Sequence, residues 1–261
     1  MDRIEKSRTQ KRLDSIDGLR SLIDRTRPVS TAEQKVLPVL PVFEDLLSDQ
    51  GLRRGTTVKV DGHVGATSLA LAVSAGPTKA GSWLACIGVP EMGWASASEI
   101  GVDLTRVAVI RSTESAFVTA TAALVDAFDL VLCGMSGSVS SAEARRLTNR
   151  ARERGSVLIL LEGRISGVGA TRRTWPEAAD VQLSVIDSEW VGVGHGSGRL
   201  RKRRLTIEVG GRRGLSRPRR AELWLPGIDG SISLAEGSHQ PGVGHPDMDQ
   251  PGVVVPLRKV G

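Results

Sequence analysis

The feature that most constrains the fold is a series of short apolar runs that alternate with segments of helical periodicity. The apolar runs are TVKV at 57–60, SWLACIGV at 82–89, RVAVIR at 106–111, FDLVLCGM at 128–135 and SVLILLEG at 156–163. Helical spacing is found at 68–77, where Gly-Pro is expected to end the helix, and at 114–127 and 141–155. Apolar strands joined by helices predict a mostly parallel sheet that helices flank on both faces. The fold class is therefore α/β.

The segments on either side of this core differ from it. Residues 1–50 predict an N-terminal helical segment, because apolar residues from Leu13 to Leu22 recur at helical spacing. A brief second helix is expected around 43–47, and no strong strand signal accompanies it. After Arg164, alternating strands with glycine-rich turns such as GVGHGSG at 192–198 predict antiparallel C-terminal hairpins that extend the sheet. The core is accordingly predicted to span residues 51–236.

Residues 237–261 are rich in Gly and Pro and predict a flexible tail. Its apolar and basic end is a candidate docking segment for a protein partner. The residues of this segment are Val253, Val254, Val255, Leu257, Arg258 and Lys259.

Composition excludes several classes of function. Cys86 and Cys133 lie within apolar runs without metal-ligand spacing, so we expect both to be reduced, buried thiols in a cytoplasmic protein. The four histidines are scattered, which predicts no metal site. No apolar run approaches the roughly 20 residues that cross a bilayer, so no membrane association is expected.

The stretch VDGHVGATSLAL at 60–71 has the shape of a strand, a glycine-rich turn and a helix, which is where nucleotide-binding proteins hold phosphate. Gly65, Thr67 and Ser68 fit that motif, but Ala66 occupies the place of the phosphate-binding lysine. Gly62 lies too close to Gly65 for a loop of full length. The sequence therefore predicts a turn of phosphate-loop shape without its main charge.

The order of these pieces from about Leu52 to Pro226 resembles the RecA-type ATPase core. GATSLAL stands at the phosphate loop, and CIGVPEMGWASASEIGVDLTRVAVI places Glu91 at the position of the glutamate that activates water. FDLVLCGMSGSVSSAEARRL matches the Walker B strand, but Gly134 replaces its magnesium-holding aspartate. Glu162 and Gly163 stand at the sensor position. Because phosphoryl transfer depends on positioning and charge neutralisation, these departures imply loss of catalysis and no nucleotide cofactor.

The chain is similar to the ImuA-prime family, RecA-like accessory proteins of the actinobacterial mutasome. The resemblance implies a non-catalytic, nucleoid-associated adaptor in DNA-damage-induced translesion synthesis. Its implied partner is an ImuB-type Y-family polymerase homologue, with an error-prone replicative-type polymerase subunit, RecA and DNA as further candidates. Two alternatives stay open: a DNA-dependent ATPase of the RecA type, and a regulator that binds RecA or a cell-division filament protein.

A dense cationic stripe runs from residue 199 to residue 220, with nine arginines and one lysine against one acid, Glu208. One interpretation is a solvated hairpin in which Leu205, Ile207 and Val209 point inward and the cations face water. The favoured interpretation is contact with DNA phosphates or with an acidic partner. The candidate residues are Arg199, Arg201, Lys202, Arg203, Arg204, Arg212, Arg213, Arg217, Arg219 and Arg220.

The segment RISGVGATRRTW at 164–175 occupies the place of the mobile DNA-binding loop in RecA-type proteins. Arg164, Arg172 and Arg173 are candidates for phosphate contacts, and Trp175 for stacking on a base. The favoured interpretation is an ordinary surface loop in which Trp175 packs on the core.

Overall fold

A computed structural model describes residues 35–62, 64–89, 92–134, 138–162, 174–193, 198–212 and 218–235. The predicted helix near Leu13 and the C-terminal docking segment at 253–259 lie outside these residues. The strands are β1 Val36–Pro38, β2 Gly51–Arg53, β3 Thr57–Asp61, β4 Leu84–Ile87, β5 Val107–Ile110, β6 Leu130–Gly134, β7 Val157–Glu162, β8 Val181–Val193, β9 Gly198–Gly210, β10 Arg219–Trp224 and β11 Ser233–Leu234. The helices are α1 Pro41–Glu44, α2 Ala66–Lys79, α3 Trp94–Ile100, α4 Phe117–Ala127 and α5 Ser141–Arg154.

Nine of the eleven strands in the described residues form one large sheet in the order β11-β10-β9-β8-β3-β7-β6-β4-β5. All neighbours from β8 to β5 are parallel. The strands β8 to β11 pair antiparallel, and β8 and β9 form a long hairpin closed by the Val193–Gly198 pair. The predicted α/β fold with a mostly parallel sheet and C-terminal antiparallel hairpins is confirmed.

Helices cover both faces of the parallel part because the two faces of each strand carry apolar side chains. On one face Val58 and Val60 pack with α1, α2 and α3. On the other face Val131 and Leu158 pack with α4 and α5. Cys86 and Cys133 are buried on opposite faces, as expected, and burial raises the pKa of each thiol to about 12.

Helix α2 continues beyond its expected end at Gly76-Pro77 and stops at Lys79. Pro77 lies in the last turn, so the helix loses one backbone hydrogen bond there and ends soon afterwards. The Thr78 Oγ1 donates to the Ser74 carbonyl at 3.0 Å and reinforces this turn. Gly76 serves close packing, since an added Cβ would lie 2.5 Å from the Val39 Cα. The expectation that Gly-Pro ends the helix at residue 77 is wrong.

Two short elements were not expected from the sequence. Helix α3 has seven residues and ends at Gly101, whose φ of 110° is left-handed. Strand β1 pairs with β2 in a two-stranded antiparallel sheet. The prediction of no strand before residue 50 is therefore wrong. Prolines at 38 and 41 conceal this strand in the sequence.

The N-terminal elements belong to the same core as the parallel sheet. Leu37, Phe43 and Leu52 are fully buried in one cluster with Leu205 and Ile207 of β9. The boundary predicted at residue 50 therefore falls inside the core.

Candidate functional site

The turn between β3 and α2 has the strand–turn–helix geometry that its sequence predicts. Gly62 and Gly65 have φ of 137° and 100°, in the left-handed region where glycine is favoured. Gly65 caps α2, and its carbonyl accepts the first helical hydrogen bond from the Leu69 amide at 2.9 Å. The turn stands beside the carboxyl ends of the central strands, where open α/β sheets bind their ligands.

In this chain, the positions that hold phosphate and metal in a working phosphate loop contact the apolar core and strand β9. Ala66, at the lysine position, is 6% exposed and belongs to the apolar core. Leu205 of β9 presses on the turn, since a Cβ added to Gly65 would lie 2.8 Å from the Leu205 Cδ2. Thr67 is exposed, whereas the hydroxyl of Ser68 has a partner on β9. The hairpin therefore closes over the turn from one side.

That partner is Arg203, which is 6% exposed and points inward with Leu205. Its Nη2 donates to the Ser68 Oγ at 2.8 Å and its Nε donates to the Leu225 carbonyl at 2.7 Å. The guanidinium carbon lies 5.1 Å from the Trp190 ring centroid, a cation–π contact. Burial lowers the pKa of the Arg203 guanidinium. The expectation that Arg203 lies on an exposed binding surface is wrong, because the strand alternation turns it toward the core.

Gly134 ends β6 at the Walker B position and has no room for a side chain. An added Cβ would clash with the Gly88 carbonyl oxygen and lie 2.7 Å from the Val89 Cγ1. The chain leaving β4 thus fills the space that an aspartate side chain at position 134 would need. Glu91, predicted at the water-activating position, lies outside the described residues.

A charged cluster on β3, β7 and β8 was not singled out from the sequence. The Lys59 Nζ lies 2.9 Å from the Glu162 Oε2, and Glu162 is fully buried. The backbone N–H of Trp175 donates to the Glu162 Oε1 at 2.6 Å. The side-chain Nε2 of Gln182 donates to the Asp61 Oδ2 at 3.1 Å. These contacts tie the ends of adjacent strands together. Of its charged members, only Glu162 is singled out from the sequence, at the sensor position, and the lysine inside the apolar run TVKV is a further signal.

Carboxylates on neighbouring strands neutralise part of the cationic stripe. Arg204 lies 2.6 Å from Glu189 of β8 and 3.7 Å from Glu222 of β10. Arg220 lies 2.9 Å from Glu208. The net charge counted along residues 199–220 therefore overstates the charge offered to a partner, because Glu189 and Glu222 lie outside that stretch and reach it through strand pairing.

Two further cations of the stripe have contacts within the fold. The Lys202 Nζ lies 3.5 Å from the Trp224 ring centroid, and Arg219 donates to the Asp45 carbonyl. Arg199, Arg201 and Arg212 are exposed, and no carboxylate among the described residues lies within ion-pair distance of them. The other candidates, Arg213, Arg217, Arg164, Arg172 and Arg173, lie outside the described residues.

Trp175 is buried in the apolar cluster that contains Val131 and Leu158. The favoured interpretation, in which Trp175 packs on the core, is confirmed. Within the described ranges, no group of three His, Cys, Asp or Glu side chains is arranged to hold a metal ion. None of the helices in that part of the chain combines the length and apolar character that a membrane crossing requires.

Residues 45–167 match the family described as the MT3502 N-terminal domain. The chain is also 41% identical over 105 residues to the uncharacterized protein Rv3395c of Mycobacterium tuberculosis. These residues are 40% of this chain and 52% of that relative, so the chain spans about half the length of the relative it matches. The family match includes β2 to β7 with the glycine turn, and it ends before the β8–β9 hairpin.

Proposed function

We propose that this chain is a RecA-like adaptor without nucleotide chemistry. It acts in DNA-damage-induced translesion synthesis by binding an ImuB-type Y-family polymerase homologue. One observation carries the proposal. The chain has the strand–turn–helix shape of a phosphate loop, but its own side chains and backbone occupy the space where a nucleotide and its metal would bind. Arg203 and Leu205 cover the turn from one side, and the backbone at Gly88 closes the space beside Gly134.

The order of the elements supports the RecA-like assignment. The glycine turn follows β3, the Walker B position ends β6, and a long antiparallel hairpin follows the parallel strands, in the order of the RecA-type core that the sequence resembles. A sheet that has lost its chemistry remains a rigid surface, so retention of the fold suits a binding role.

A titration of the full chain with ATP and magnesium tests the loss of nucleotide chemistry. We expect no saturable binding up to about 1 mM, the upper end of ordinary substrate affinities. The RecA-type ATPase alternative predicts micromolar binding that Thr67→Ala abolishes. Thr67 is exposed at the start of α2, so this substitution reports on a ligand without opening the core.

Association with the ImuB-type homologue from the same genome tests the adaptor role. We expect a stoichiometric complex in size-exclusion chromatography, and loss of damage-induced mutagenesis when the gene is deleted. Absence of a complex overturns the proposal. A complex with RecA or with a cell-division filament protein in place of the homologue would favour the regulator alternative.

A further inference from the structure

The charge of the β8–β9 hairpin is divided along its length. Near the core, arginines of β9 and β10 are matched by carboxylates, as in the Arg204–Glu189 and Arg220–Glu208 pairs. Toward the closed end the balance changes, since residues 190–203 contain three arginines and one lysine but no aspartate or glutamate. The closed end of the hairpin therefore carries cations that its own sequence does not neutralise.

Large apolar side chains are exposed at the same end. Trp190 is 40% exposed, Val191 is 38% exposed and Leu200 is 51% exposed. Strand pairing places Val191 opposite Lys202 and Trp190 opposite Arg203, and Leu200 lies between Arg199 and Arg201 on β9. We call this end the hairpin tip; its residues are the exposed Trp190, Val191, Arg199, Leu200 and Arg201 together with the half-buried Lys202.

The hairpin tip is held in place by contacts nearer the core. Arg203 anchors β9 through its bonds to Ser68 and to the Leu225 carbonyl, and its guanidinium lies under the Trp190 ring. Lys202 is oriented by the Trp224 ring. Trp190 and Lys202 are thereby ordered in the free protein, which reduces the conformational entropy that these two side chains lose when a partner binds.

We infer that the hairpin tip binds an acidic, amphipathic segment of a protein partner. The inference rests on the proposed adaptor function and specifies the surface and the chemistry of its partner. Arg199 and Arg201 attract the acidic side chains of that segment, and its apolar side chains cover Trp190, Val191 and Leu200. Tryptophan and arginine are enriched among the residues that dominate protein interfaces.

The apolar residues favour a protein over a nucleic acid at this surface. Lysine and arginine alone supply affinity for the phosphates of a nucleic acid, and exposed valine or leucine is not needed for it. Burial of these side chains stabilises a complex only when the partner offers apolar atoms in return. The charge at this end matches this requirement, since Arg199 and Arg201 have no carboxylate among the described residues within ion-pair distance and lie in the same stretch as the exposed Leu200.

The test compares variants of the full chain in binding to the purified ImuB-type homologue by isothermal titration calorimetry. We expect Leu200→Ser and Arg201→Glu each to weaken binding about tenfold or more, the change that loss of 1.4 kcal/mol produces. The matched controls are Ile228→Ser, an apolar residue that is 76% exposed near β11, and Arg146→Glu, an exposed arginine on α5. Both controls should bind as the wild type does, and urea unfolding verifies that every variant is folded.

The outcomes separate this inference from the proposed function. If the wild type binds the homologue and both tip variants bind equally well, the inference is overturned and the adaptor function stands. If the wild type does not bind, the adaptor function fails and the inference fails with it. The same variants are titrated with a single-stranded oligonucleotide of mixed sequence. Loss of oligonucleotide binding with unchanged binding to the homologue would assign the tip to nucleic acid and overturn the inference.

Discussion

At the scale of single residues, two positions define the candidate site: a glycine where the structure has no space for a side chain, and an arginine that is buried. Gly134 ends a buried strand where backbone from the adjacent strand leaves no space for a side chain. Arg203, a residue type that is almost never fully buried unless paired, lies inside the fold and bonds to Ser68 and to the Leu225 carbonyl. Both residues make structural contacts in this chain, Gly134 through close packing and Arg203 through hydrogen bonds.

Gly134→Ala should destabilise the fold by about 1–3 kcal/mol, because the added methyl group must displace the Gly88 carbonyl or the Val89 side chain. Gly210→Ala is the matched control, since an added Cβ there has no atom within 4 Å and the free energy of unfolding should change by less than about 0.5 kcal/mol. Urea unfolding followed by tryptophan fluorescence measures both. Equal stability of the two variants would show that position 134 has room for a side chain.

Arg203→Ala should lower the free energy of unfolding by about 2 kcal/mol, because the Leu225 carbonyl and the Ser68 hydroxyl lose a charged donor. Arg201→Ala, two residues away on the same strand and exposed, should change it by less than about 0.5 kcal/mol. The urea midpoints of the two variants provide the comparison. A midpoint for Arg203→Ala equal to that of the wild type would contradict the anchoring role.

At the scale of elements, α4 and α5 are joined on the face of the sheet opposite α2. The Asp126 carboxylate accepts two bonds from Arg150, at 2.7 and 2.6 Å, and one from Arg154 at 3.1 Å. These bonds lower the pKa of Asp126, and the Arg150 hydrogen bond is the largest cause. Through these bonds Asp126, near the end of α4, holds Arg150 and Arg154 in the C-terminal part of α5, so the two helices are joined where they end.

Asp126→Asn should destabilise the protein by about 1 kcal/mol at neutral pH. Because the folded pKa is lowered, this contribution is fully present above the ordinary aspartate pKa of about 3.9 and is lost as the pH falls through the folded value. The difference between wild type and variant should therefore narrow in acid, as unfolding at a series of pH values will measure. Asp49→Asn removes an exposed pair that spans 3.9 Å and serves as the control with little effect. A difference that stays constant down to low pH would contradict the ion-pair origin.

At the scale of the whole molecule, the hairpin and the N-terminal elements complete a core that the parallel strands do not close by themselves. Phe43 of α1 and Leu52 of β2 share one cluster with Leu205 of β9 and Leu223 of β10. Arg219 of β10 also donates to the Asp45 carbonyl just after α1. We therefore expect segments at opposite ends of the described chain to unfold together.

A chain that begins at Gly55 should lose cooperative unfolding, because it lacks Leu37, Phe43 and Leu52, whose burial covers β9 and β10. Removal of even one such side chain costs about 2–5 kcal/mol. A chain that begins at Lys35 keeps these residues and should unfold cooperatively in urea. If both chains unfold with the same midpoint, the core begins after β2 and does not depend on the N-terminal elements.

The sequence alone determined the α/β class, the parallel strands from β3 to β7 and the hairpin that follows them. These features depend on apolar runs and periodicity within single elements, and a strand such as LVLCG is apolar on both faces and therefore needs cover on both. It also indicated that position 66 lacks the lysine. The tertiary structure alone decided that Arg203 meets Ser68 and the Leu225 carbonyl, that Glu189 and Glu222 neutralise Arg204, and that Gly134 has no space beside it. These outcomes depend on residues far apart in the chain that strand pairing brings within a few ångströms, and no local pattern records such distances.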